Sequence, residues 1–87
     1  MTASSRDEIR LLILDTLSSV APEIESAAIM PERALREQID IDSFDWLNVI
    51  IRLSEALGFD IPEKDYAQLV TLDSAIEYLS RRSAASR

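Results

Sequence analysis

The chain has neither cysteine nor histidine among its 87 residues. Their absence excludes disulfides, thiolate metal sites, a protein thiol nucleophile and imidazole general-base catalysis. Glycine occurs once, at position 58. Sheet-rich folds use glycine in their turns, so a single glycine favours helices joined by loops. Aromatic residues are scarce at 6%, although apolar residues total 47%, enough for one core. Long hydrophobic stretches are also missing: no apolar run is longer than Leu11 to Leu14, and the first residues lack an apolar signal core. Nothing of this kind spans or targets a membrane, so a cytoplasmic protein is expected.

What the chain has in excess is negative charge. Sixteen acidic residues against nine basic ones leave a net charge of −7. That sign argues against nucleic-acid partners, which need basic surface. It suits partners with basic patches, found through long-range attraction, and equally suits simple solubility. At this length one domain with a thin core is expected. The expected division is a disordered segment over 1–5, one folded domain over 6–80 and a flexible tail over 81–87.

Ser5 and Glu8 have the spacing of a capping box. Ile9, Leu12, Ile13, Leu17 and Val20 then share one face of a helix over 6–20, which Pro22 closes. Leu11 and Leu14 lie off that stripe. Residues 21–41 show no sustained period, and a loop of that length must pack through anchors such as Ile24, Ile29, Met30, Leu35, Ile39 and Ile41. A short turn is expected near Glu32 to Glu37. A second helix starts at Asp42 or Ser43, both preferred caps, and ends at Leu57 before Gly58, a left-handed terminator. Pro62 opens a short third helix, and Thr71 caps a last one carrying Leu72, Ala75, Ile76 and Leu79.

The second helix carries two apolar faces. At about 100° per residue, Trp46, Val49, Ile50, Leu53 and Leu57 form one wide stripe. Phe44, Leu47 and Ile51 form another, bordered by Asp45, Asn48, Arg52 and Glu55. A helix in a small bundle buries one stripe. The second is either covered by the 21–41 loop or exposed as a docking surface, and periodicity is the same in both cases.

Three segments carry a family resemblance. Gln38-Ile39-Asp40-Ile41-Asp42-Ser43-Phe44-Asp45 resembles the attachment motif of the acyl carrier proteins, in which Asp-Ser-Leu follows a leucine-glycine pair. Leu57-Gly58-Phe59-Asp60-Ile61-Pro62 resembles their Phe-x-x-x-Ile-Pro segment, and Thr71-Leu72-Asp73-Ser74-Ala75-Ile76 their last-helix start. The order and spacing match over nearly the whole chain. The resemblance implies an all-α fold, a small four-helix bundle of three longer helices and a short third one, with a long loop between the first two. It implies that Ser43 Oγ is esterified to 4′-phosphopantetheine by a separate transferase using coenzyme A, and that the arm's terminal thiol then supplies what a cysteine-free chain lacks. A helix start suits the phosphate. Asp42 corresponds to the acidic neighbour that aids recognition by the transferase. Phe44 replaces the family leucine, Asp45 and Glu55 match acidic positions of the recognition helix, and Glu63 and Asp65 extend the negative surface. With Leu47, Asn48 and Ile51 they make the expected partner-binding set, facing acyl-loading and acyl-transfer enzymes with basic patches. A monomer without catalytic or metal-binding residues of its own is expected.

There are departures. Asp40 stands where the family has glycine, and Asn48, Arg52 and Ser54 where fatty-acid carriers tend to be acidic or small. A partner selecting by charge would meet a different field, which points to a specialised member. Trp46 is either an ordinary core aromatic or a bulky residue filling the cavity that the family opens for cargo. Two other readings remain: a peptidyl, aryl or D-alanyl carrier, and an unmodified interaction module in which Ser43 is only a cap. A calcium loop on Asp40 and Asp42 fails, because Phe44 takes the next ligand position and no glycine follows at the bend that such a loop requires.

Overall fold

A computed structural model describes residues 6–85. Helix α1 spans Arg6–Val20, α2 Leu35–Gln38, α3 Ser43–Leu57 and α4 Leu72–Ala85, with 3₁₀ segments at Ser26–Ala28 and Glu63–Leu69. The three long helices and the 3₁₀ segment before α4 make the small all-α bundle. Among the described residues there is no strand, and a lone bridge joins Ala34 to Thr71. The expected capping residue Ser5 lies outside the described residues.

Helix α1 packs against both α3 and α4. Two neighbours need a buried arc wider than one stripe, so Leu14 is buried beside Ile9, Ile13 and Leu17, while Leu11 stays exposed. From α3 the core takes Val49, Ile50 and Leu53, and from α4 Leu72, Ala75, Ile76, Tyr78 and Leu79. Gly58 ends α3 at φ 81°, and its N–H donates to Ser54 O. The left-handed conformation there accounts for the chain's single glycine.

The long connection between α1 and α3 is held by two devices. Leu35, Ile39 and Ile41 are buried, and Ile24 and Ile29 pack against the core. In addition, the Gln38 amide grips the backbone: Met30 N–H donates to Gln38 Oε1 at 2.7 Å, and Gln38 Nε2 donates to Met30 O at 2.8 Å and Arg33 O at 3.1 Å. The expected turn near 32–37 is therefore a helical turn displaced to Leu35–Gln38. Its start is tied to the α4 entry by Leu35 N–H to Val70 O at 2.7 Å and Asp73 N–H to Pro31 O at 3.0 Å.

Thr71 caps α4 as expected, accepting the Ser74 N–H at 3.0 Å while Ser74 Oγ accepts the Thr71 N–H at 3.2 Å. The helix itself runs on to Ala85, into the 81–87 stretch expected as a tail. Arg82 explains the extension. Its guanidinium lies 4.6 Å over the Phe59 ring and donates to Tyr78 Oη at 2.7 Å and Asp60 O at 2.9 Å. Tyr78 in turn donates to Asp65 at 2.6 Å. This cluster fastens the end of α4 to the Glu63–Leu69 segment.

Candidate functional site

The site is built at the first turn of α3. Asp42 is the N-cap, in extended conformation, and its carboxylate accepts the Asp45 N–H at 2.8 Å. Its carbonyl accepts the Trp46 N–H at 2.9 Å. A capped helix fixes the direction of its first side chain, and that side chain is Ser43. Ser43 is exposed, so its hydroxyl is open to a visiting enzyme. The guanidinium of Arg36, from α2, donates to Ser43 Oγ at 3.3 Å. Nothing in the sequence singled out Arg36. It comes to the site because α2 is held in place by the buried Leu35 and Ile39, by the Leu35 N–H bond to Val70 O and by the Gln38 grip.

The second stripe of α3 is uncovered. Phe44 is 74% exposed, Leu47 40% and Ile51 44%, although Val49 and Ile50 on the other side are at most 2% exposed. The loop is drawn instead into the core through Leu35, Ile39 and Ile41 and cannot also reach this face. Glu55 is exposed on the same face, and Asn48 and Asp45 are half-buried at its edges. Arg52 is exposed and donates to Ser19 Oγ at 3.2 Å, which anchors it toward α1.

Two expected partner residues lie on the 3₁₀ segment and not on α3. Glu63 is exposed, whereas Asp65 accepts from Tyr78 and pairs with Arg82 at 3.8 Å. Asp65 is thus committed to holding the fold. Trp46 is half-buried at the edge of the core rather than in its centre. With Ala34, Arg36, Tyr66 and Val70 it lines a surface depression of about 160 Å³. Among the described residues no cluster suited to a metal ion is found, and no helix is long and apolar enough to cross a membrane.

A family model described as the phosphopantetheine attachment site matches residues 12–79. The chain belongs to this family, that of the acyl carrier proteins. Its prosthetic group is 4′-phosphopantetheine. The first turn of α3 fits such a group: it offers an exposed hydroxyl, a helix N-terminus that favours phosphate, and a guanidinium within hydrogen-bond distance of that hydroxyl. Curated relatives agree. The chain is 29% identical over 62 residues to the acyl carrier protein of Rubrobacter xylanophilus, covering 71% of this chain and 76% of the relative. It is 25% identical over 84 residues to that of Acidothermus cellulolyticus, covering 97% and 99%. With that of Thermosynechococcus vestitus it shares 28% over 79 residues, 91% of each chain. The chain presents acidic and apolar side chains along α3, with Arg36 at its first turn and Arg52 farther along, on the side toward α1.

Proposed function

We propose that this acyl carrier protein bears its arm on Ser43, holds acyl intermediates as thioesters on the arm's terminal thiol, and delivers them to partner enzymes in a specialised lipid or secondary-metabolite pathway. The observation that carries the reading is the placement of an exposed serine hydroxyl at the first position of a 15-residue helix, beside the uncovered Phe44-Leu47-Ile51 stripe. The hydroxyl receives the phosphate, and the stripe gives partner enzymes an apolar footing next to it.

The residues divide the work. Asp42 fixes the helix start and offers its carboxylate to the transferase. Phe44, Leu47 and Ile51 dock in apolar pockets, while Asp45, Asn48, Glu55 and Glu63 set the charge and hydrogen bonding of the rim. The protein has no histidine or cysteine to activate Ser43, so the base that takes the hydroxyl proton belongs to the transferase. In this reading it is a substrate and partner of enzymes, working in the cytoplasm as a monomer. Arg36 and Arg52 would give it partners whose docking patches are less uniformly basic than those of general fatty-acid carriers.

Incubation with coenzyme A and a broad-range phosphopantetheinyl transferase tests it. The wild-type protein should gain the mass of one phosphopantetheinyl group, and the S43A variant should gain none. Wild-type protein that stays bare would favour an interaction module without an arm. Peptidyl, aryl and D-alanyl cargoes would be told apart by which loading enzyme acylates the thiol.

A further inference from the structure

Arg36 touches two features at once. It donates to Ser43 Oγ, and it forms part of the wall of the depression shared with Ala34, Trp46, Tyr66 and Val70. A neutral hydroxyl is a poor match for a guanidinium, whose planar fork of donors fits a phosphate far better. Arg36 is exposed, so no buried partner demands its charge. Trp46 lies three residues beyond Ser43, one turn along α3 on the side toward the depression.

We propose that, when Ser43 carries its arm, Arg36 pairs with the phosphodiester and turns the first segment of the arm over the Trp46-Tyr66-Val70 depression. The inference rests on Ser43 as the attachment point. The depression begins one helical turn from Ser43, so it meets the portion of the arm next to the phosphate and not the distant thiol. That portion carries two methyl groups, a hydroxyl and an amide. Apolar and aromatic walls with an arginine and a tyrosine at hand suit such a mixture. The arm then has a resting position from which a partner enzyme draws it, and its thiol stays free to turn. A surface pairing of this strength favours the docked arm over the free one by up to about five-fold.

Trp46 is the chain's single tryptophan and reports on its own depression. Wild-type, R36Q and R36K proteins are loaded with coenzyme A and transferase, loading is checked by intact mass, and acrylamide quenching of Trp46 is measured before and after. Quenching should fall on loading in the wild type, fall little in R36Q and fall largely as in wild type in R36K. In the wild type the fall should shrink at about 1 M salt, where screening reaches a few ångströms. An equal fall in wild type and R36Q, or no fall in wild type, would overturn the inference. Should R36Q fail to load or fold, the wild-type salt series decides alone, and a salt-independent fall overturns it. Absence of any mass gain in the wild type would instead remove the attachment reading. Loading on Ser43 with Arg36-independent quenching would leave that reading intact and sink only this one.

Discussion

The Asp42 carboxylate accepts the Asp45 backbone N–H at 2.8 Å, so one acidic side chain starts the helix whose first residue is Ser43, the proposed attachment point. The capping role of Asp42 and the recognition role proposed for it can be separated by substitution. D42A should lower stability by about 1 kcal/mol, a fall in Tm of about 4–8 °C for a domain of this size. D42S and D42N should keep the cap and most of the stability. If the transferase reads the charge, D42N will load much more slowly than wild type while melting nearly as high. Equal loading of D42N and wild type would confine Asp42 to capping.

The two faces of α3 should respond in opposite ways to truncation. F44A and I51A remove exposed side chains and should change stability by no more than about 0.5 kcal/mol. Each should cut kcat/KM of a partner enzyme by about ten-fold, as expected for losing an apolar anchor worth 1–2 kcal/mol. L53A, on the buried face, should cost about 2–5 kcal/mol in urea unfolding. An L53A variant as stable as wild type would mean that the core is elsewhere.

Much of this was legible in the amino-acid pattern, for physical reasons. The helix bounds at Val20, Ser43 and Leu57 follow from caps, from Gly58 and from the 3.6-residue period, all of which act locally. The exposed stripe was readable only as one of two possibilities. Its exposure depends on where the 21–41 loop goes, and that is decided by Leu35, Ile39 and Ile41 entering the core together with the Gln38 grip. Arg36 beside Ser43 and Arg82 on Asp60 join residues separated by 7 and 22 positions, with no periodic signal to announce them. The same long-range cluster is why Asp65 looked like open negative surface and is instead engaged with Tyr78 and Arg82.

Gln38 should behave as a structural clamp. Q38A removes three hydrogen bonds to the loop backbone and should cost about 1–2 kcal/mol. Amide exchange at Met30 should rise in step. Q38E is the sharper variant, since a carboxylate can accept the Met30 N–H but cannot donate to Met30 O or Arg33 O. It should be no more stable than Q38A. Full stability in Q38E would show that the two donated bonds contribute nothing.

Tyr78 gives the stability an alkaline limit. Burial first, and then its hydrogen bond to Asp65, push its phenol above the usual 10.0. The folded state therefore holds the proton more tightly than the unfolded chain does. The resulting stabilisation is fully present below the unfolded value and is lost as pH rises from about 10 through the folded one. Y78F should be less stable than wild type at pH 7, by about 1 kcal/mol for the lost hydrogen bonds, and the difference should narrow above pH 10. Urea unfolding at a series of pH values from 8 to about 11 reads it directly. A gap that stays constant would contradict the shifted phenol.

The whole account turns on which atom bears the arm. Fragmentation mass spectrometry of the protein taken from its own cells should find a phosphopantetheinyl group, bare or acylated, on Ser43 and on no other residue. Native protein that is uniformly unmodified, or that carries the group elsewhere, would contradict it.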